Sequence, residues 1–360
     1  MNMRKIYFCL IVFAVLFNAC KENFETEFSY NDNEKTVLRI NEPDFCKTIY
    51  PQATNDIVSS QIISQIFEGL VKYEPKTLSV VPAIAERWEI DTSGMVYTFF
   101  LRKNVYFHND KCFDDGKGRN VTANDFYFSF YLLCTQSENN VNFYGTLDKI
   151  EGAKEYYESS NENSDNQISG IKIIDDYTLQ LTLKSPNPLF IYFLANPAAA
   201  ALPKEGIEKY EIKNHVGSGP FYINGFSKNY TTLSLIKNPN YYKMGKNDIQ
   251  LPYIDTVNIT FVGSIRKELN MFEAGKLDII AGLPSKYVPE FLEKHIKEFE
   301  SNPPIYILNQ SEEDIVSEIY NLMRSNVQNF YTNRMNFIDL SLVYFEEPNQ
   351  IKNTESKNNQ

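Results

Sequence analysis

Residues 61–108 read QIISQIFEGLVKYEPKTLSVVPAIAERWEIDTSGMVYTFFLRKNVYFH, and the fold is decided within them. Ile62, Ile63, Ile66, Phe67 and Leu70 recur at helical spacing behind Ser59 and Ser60 as N-caps, with Gly69 as the stop. Residues 70–73 then read as a strand and 74–77 as a turn. Pro82 opens a predicted short helix over 83–88, which carries the single tryptophan, Trp88. A turn at Thr92, Ser93 and Gly94 leads into 95–101, apolar or Thr on both faces, which predicts a strand buried on both sides. Residues 105–107 continue the sheet.

Downstream, 114–118 is a loop, and Thr122 with Asp125 three residues on forms a capping box. The helix that follows sets Phe126, Phe130 and Leu133 on one face. After a polar loop at 159–167, residues 171–174 and 177–183 make a hairpin around Asp175 and Asp176. In its second strand Tyr177, Leu179, Leu181 and Leu183 alternate with Thr178, Gln180 and Thr182. Residues 188–194 suggest a short apolar helix. Val216-Gly217-Ser218-Gly219-Pro220-Phe221 is a tight turn and not a dinucleotide loop, because Pro220 blocks the helix entry such a loop needs. Thr231, Leu233 and Leu235 supply a strand, Asn238-Pro239-Asn240-Tyr241-Tyr242 a turn, and 254–261 another strand. A helix over 266–274 closes at Gly275, and 277–280 is read as a strand. Upstream, 36–40 is the first strand. Further on, 288–299 and 314–330 are read as helices and 305–308 as a strand.

With 360 residues the chain can bury more than one core. It is 43% hydrophobic and 22% charged, a folded composition. The 14% of aromatic residues suits pleated, strand-rich cores. Formal charge is −11, and −13 without Arg4 and Lys5 of the N-terminal segment, which speaks against nucleic acid as a partner.

Arg4 and Lys5 precede twelve apolar residues, 6–17, too few to span a bilayer and the right length for a signal-peptide core. Leu16-Phe17-Asn18-Ala19-Cys20 follows, then polar Lys21, Glu22 and Asn23. This resembles the lipobox of bacterial lipoproteins, which implies lipid on Cys20; the other reading is a plain signal peptide with an incidental cysteine. With Cys9 lost with the signal and Cys20 lipidated, three cysteines remain, at most one pair. Cys112 and Cys134 flank one loop-and-helix unit in a disulfide-permissive compartment and are the expected partners; buried free thiols are the alternative.

The ordered series FEGL, VPAIAERWE, YTFFLRKNVYFH, VTANDF, VGSGPF, NPNYY and MFEAGKLDI is similar to the family 5 extracellular solute-binding proteins, the oligopeptide- and dipeptide-binding components of ABC importers. The resemblance covers 37–284 and 327–347. It implies a two-lobed α/β fold of the periplasmic-binding-protein type II, oligopeptide-binding-like. Segment 1–19 would be signal, 20–36 a tether, 37–70, 190–284 and 320–347 lobe I, and 71–189 a small β-rich subdomain. Residues 285–319 would be a remnant of a truncated second lobe and 348–360 a polar, flexible tail. The resemblance further implies a peptide or small solute as ligand, transporter permease subunits as partners, and an extracytoplasmic, lipid-anchored location, periplasm-facing or at the cell surface. Lobe I would offer Thr54, Asn55 and Asp56 and the Gly217-Ser218-Gly219 turn as one ligand wall. Equally, Asp56 serves as a helix cap and the glycines serve only the turn.

His108, His215 and His295 are widely separated, and no metal-ligand spacing, G-x-S-x-G or phosphate loop is present. Asp114-Asp115 and Asp175-Asp176 sit in turns, where Asp is favoured for backbone reasons. Neither an enzyme nor a cofactor is expected. The rival reading is a non-transporting, membrane-anchored interaction protein, a degenerate remnant of a binding protein. A lipoprotein hydrolase would need a nucleophile and base assembled from distant residues.

Overall fold

The computed structural model describes residues 36–75, 77–159, 168–245, 248–280, 285–287, 289–290, 293–294, 327–328 and 344–345. Cys20, the tether up to residue 35 and residues 348–360 lie outside them. Among the described residues no helix is long and apolar enough to cross a membrane.

Two four-stranded sheets organise the chain. The first contains β1 (Val37–Glu42), β8 (Phe221–Phe226), β9 (Thr232–Lys237) and β10 (Thr256–Phe261), in the order β1-β10-β9-β8. β1 runs parallel to β10, Leu38 opposite Val257, and the other pairs are antiparallel. Leu38, Ile40, Leu233, Leu235, Val257 and Ile259 alternate onto one face and are buried. Against that face lies α1 (Ile57–Ile66), whose Ile62, Ile63 and Ile66 fill the core. Each such side chain contributes about 2 kcal/mol on leaving water. The predicted helix is present but begins earlier: Asp56 is its N-cap, its Oδ1 accepting from Ser59 N at 2.9 Å. Ser59 and Ser60 lie inside the first turn.

The second sheet holds β4 (Ala85–Ile90), β5 (Val96–Leu101), β6 (Ile171–Asp175) and β7 (Thr178–Thr182), order β4-β5-β7-β6, antiparallel throughout. β2 (Val71–Tyr73) and β3 (Val80–Pro82) form a separate two-stranded ladder. Helix α2 (Ala123–Leu133) buries Phe126, Phe130 and Leu133 in this core and has the capping box on Thr122 and Asp125. The shorter helices are α3 (Ala153–Ser159), α4 (Phe190–Phe193), α5 (Lys204–Tyr210) and α6 (Ile265–Glu273). Arg119 forks onto both Asp125 (2.8 and 3.0 Å) and Glu205 (2.7 and 2.8 Å), tying the first turns of α2 and α5 together.

Several expectations are corrected. Residues 83–88 are not helical. The backbone N–H groups of Ala83 and Ala85 donate to Leu70 O and that of Ile84 to Gly69 O, so the chain is held in a turn and enters β4. β4 is an edge strand whose exposed Glu86, Arg87 and Glu89 discourage further pairing. β5 is not buried on both faces: Tyr97, Phe99 and Leu101 point into the core, while Val96, Thr98 and Phe100 are half-buried, Phe100 beneath the Arg87 guanidinium. Residues 105–107 make only an isolated bridge, Tyr106 to Asn120.

Residues 277–280 lie along β1 without forming a ladder. Asp278 N donates to Arg39 O, and its carboxylate takes Arg39 N at 2.7 Å and the guanidinium at 2.9 and 3.1 Å. A side chain thus takes the position a second backbone carbonyl would hold. The helix expected over 314–330 is contradicted at its end, where β11 (Val327–Gln328) pairs antiparallel with β12 (Tyr344–Phe345). The rest of that helix, the strand at 305–308 and most of 288–299 lie outside the described residues.

Cys112 and Cys134 are not bridged; both are free thiols, as is Cys46. Cys134 is the C-cap of α2, enclosed in the core, while Cys112 N is held by Asp110 Oδ1 at 2.7 Å in the 110–118 loop. Burial pushes the Cys112 thiol up to about 12 and the Cys134 thiol up as well, so neither supplies a thiolate.

Candidate functional site

The six residues read as one ligand wall stand at opposite ends of α1. Thr54, Asn55 and Asp56 lead into its first turn. Thr54 is buried, with Oγ1 3.2 Å from Ser60 Oγ, and Asn55 is exposed. Gly217, Ser218 and Gly219 pack on its last turn, where Gly219 N donates to Ile66 O at 2.8 Å. Ten helical residues separate the two groups, about 15 Å at 1.5 Å per residue. The structure does not bring them together.

The glycine turn is a packing device. A Cβ on Gly217 would lie 2.1 Å from Ile66 O, and one on Gly219 2.6 Å from Gln65 O. Backbone meets backbone there, which no side chain permits. His108 locks the turn from the other side. Its N donates to Gly217 O at 2.7 Å, Nδ1 accepts from Gly217 N at 3.3 Å, and Nε2–H donates to Gly219 O at 2.9 Å. Two partners of fixed polarity set the neutral tautomer, and burial lowers the imidazole to about 4. Ser218 is buried, and its Oγ has no partner among the described residues.

At the other end of α1 the structure adds a loop that sequence reading missed. Asn142 Nδ2 donates to Gln52 O (2.9 Å) and Thr54 O (2.7 Å), and Val141 N donates to Gln52 O (3.1 Å). The 139–144 loop is thereby fastened beside Thr54–Asp56 across some ninety residues of chain. Phe143 anchors it, stacked on Tyr157 at 4.1 Å between centroids, while Val141 and Tyr144 stay exposed. The short turn residues around 139–142 were the only local sign, and nothing in them names Gln52 or Thr54 as partners.

A cleft of about 70 Å³ opens at the C-terminal end of α1, lined by Glu68, Lys72, Tyr73, Pro197, Pro220 and Tyr241 among others. Buried Glu68 accepts from Tyr241 Oη at 2.8 Å and Lys243 Nζ at 3.3 Å, so its charge is matched within the chain. The cleft is small for a peptide, for which several hundred Å³ is usual, roughly. It contains none of the predicted site residues. Among the described residues no cluster of acids, histidines and cysteines has a metal-binding arrangement.

These features meet a known group of proteins. Residues 79–323 match the family model described as bacterial extracellular solute-binding proteins, family 5 Middle. The chain belongs to that family. The match runs past residue 284, where the motif series ended, and so takes in 285–319. The dipeptide-binding protein of Escherichia coli K12 is 29% identical over 246 residues, covering 59% of this chain and 44% of its own. The oligopeptide-binding protein OppA of Bacillus subtilis 168 is 27% identical, covering 78% and 49%. Among solved structures, an oligopeptide-binding protein of Borrelia burgdorferi aligns with TM-score 0.61 and 28% identity over 75% of this chain and 50% of its own. Haemophilus influenzae OppA, solved with the peptide RPPGFSPFR, gives TM-score 0.61 at 23% identity over 76% and 50%. The α/β fold thus resembles the oligopeptide-binding form of type II periplasmic-binding proteins. The chain spans about half the length of the relatives it matches.

Proposed function

We propose that this protein is the substrate-binding component of an ABC importer, taking peptides or related small solutes, in a form that lacks most of the second lobe. The observation that carries this reading is family membership over 79–323. Relatives are named for dipeptides and oligopeptides, and others for deoxycholate and heme, which supports a small solute and leaves peptides as the first class to test. In this reading lobe I comprises 37–70, 190–284 and 320–347, with 71–189 as subdomain and 285–319 as the remnant. Thr54, Asn55 and Asp56 with the 139–144 loop form the ligand wall; the 217–219 turn is assigned to packing. Lipid on Cys20 holds the protein outside the cytoplasm, and permease subunits are its partners.

A binding protein of this kind gains affinity by closing two walls on a ligand and excluding water. A single wall leaves its contacts in competition with solvent, so peptide affinity no tighter than about millimolar is expected. Mass spectrometry of ligand co-purified with the lipidated protein, and calorimetric titration of a short-peptide library, test this. Micromolar binding with a large negative heat-capacity change would show a completed cleft and sink the truncated form. No binding of any solute would favour the second reading, a membrane-anchored interaction protein.

A further inference from the structure

Gln52 stands two residues before the ligand wall and is 1% exposed, with both ends of its side-chain amide engaged. Oε1 accepts from Tyr50 Oη at 3.1 Å, and Nε2 donates to Ser129 O of α2 at 2.9 Å. Its main-chain oxygen takes Asn142 Nδ2 at 2.9 Å and Val141 N at 3.1 Å. Ser129 is fixed in turn: its Oγ donates to Asp125 O and accepts from Leu202 N, both at 2.7 Å. Gln52 therefore ties the backbone ahead of Thr54 to the middle of α2.

The 139–144 loop is tied to the same helix. Buried Asn140 donates from Nδ2 to Leu133 O at 2.6 Å and Thr135 O at 2.8 Å, where α2 ends. The two attachment points, Ser129 and Leu133, are four residues apart on one helix, about 6 Å at 1.5 Å per residue. Asn142 reaches both Gln52 O and Thr54 O only while that spacing holds. A displacement of about 0.7 Å takes a 2.9 Å bond out of hydrogen-bond range.

We infer that Gln52 and Asn140 are positioning residues: through α2 they set how 54–56 and 139–144 face each other, without themselves meeting the ligand. The inference rests on the reading of those two stretches as a ligand wall. A buried side chain of similar length that cannot donate, such as Met at 52, leaves Ser129 O without its amide partner and Tyr50 Oη without its acceptor. The bonds act as a chain, so slack at Gln52 is passed to Asn142 and from there to Thr54 O. A wall whose halves shift against each other loses the geometry a ligand needs.

Gln52→Met and Asn140→Ser in the full chain test this, and either one suffices should the other fail to fold. Exchange of the Val141 amide reports its bond to Gln52 O and is expected to be about tenfold faster in each variant, with the β7 amides unchanged. Affinity for Ala-Ala-Ala, followed by NMR chemical-shift perturbation, should fall about fivefold. Leu269→Ala, in the separate core cluster of α6, lowers stability away from α2 and should move neither readout. A Val141 amide as protected as in the parent, or faster exchange with peptide affinity intact, overturns this inference alone. A parent protein that binds no Ala-Ala-Ala, while Val141 exchange responds as expected, overturns the ligand-wall reading and the inference with it.

Discussion

The N-terminal end of α1 leaves Asn55 and Ile57 to solvent, whereas at its C-terminal end the 217–219 turn is packed shut beside the 70 Å³ cleft. At the first, Asn55 and Ile57 are exposed beside a loop held by two hydrogen bonds from one amide nitrogen. At the second, Gly217 and Gly219 sit against Ile66, His108 bridges both, and Asn238 Nδ2 adds a bond to Gly219 O. Polar and small residues mark both ends, yet they do different work. Where backbone touches backbone, the residues are dictated by packing; where the surface is open, they remain available to a ligand.

The largest effect expected from this contrast is at the closed end. Gly217→Ala places a methyl group 2.1 Å from Ile66 O, and neither backbone can retreat without opening the first sheet's core. A loss of about 3 kcal/mol or more in urea unfolding is expected. Asn55→Ala at the open end should stay within about 0.5 kcal/mol of the parent. Equal costs at the two sites would erase the distinction.

The closed end should also make stability depend on pH. His108 is held neutral in the fold, with its pKa lowered from 6.5 to about 4. Its contribution is therefore fully present above pH 6.5 and is lost as pH falls toward about 4, up to roughly 3 kcal/mol. Glu42 opposes it. Burial, and then the nearby Glu268 carboxylate, raise Glu42 to about 7, so that its contribution is present below pH 4.5 and lost as pH rises through 7. Stability curves between pH 4 and 7.5 for the parent, Glu42→Gln and His108→Gln separate the two. The Glu42→Gln curve should rise more steeply with pH than the parent's. If His108→Gln keeps the parent's slope, the imidazole is not the group that titrates.

The smallest effect concerns the cap at the open end. Asp56→Ala removes the acceptor for Ser59 N and should cost about 1 kcal/mol, with Asp56→Asn costing only a few tenths. A loss of ligand affinity in Asp56→Asn as large as in Asp56→Ala would give Asp56 a direct part in binding beyond holding the helix.

Elements governed by neighbours in sequence were legible without the structure. The Thr122–Asp125 box opens α2 as expected, and the alternation at 177–183 is β7. The turn at Gly275, with φ of 69°, closes α6. Each signal lies within a few residues, so spacing alone reports it. The misread segment 83–88 differs in kind. Its letters suit a helix, but β5 and the carbonyls of Gly69 and Leu70 take its backbone hydrogen bonds, and partner choice overrides propensity. Cys112 and Cys134 show the same limit, since shared position in a loop-and-helix unit does not set the distance between two sulfurs.

By itself the sequence determined the family, the α/β class and the helix that both candidate turns adjoin, because ordered motifs and apolar periodicity survive without coordinates. Only the tertiary structure decided which of those turns is packed shut. That depended on Asn142 reaching Gln52 and Thr54 across ninety residues, and on His108 and Ile66 closing over Gly217 and Gly219 from more than a hundred residues away. Contacts this remote leave no period in the chain. They form when two packed cores bring their edges together, and the chemistry of either edge is set by what it then touches.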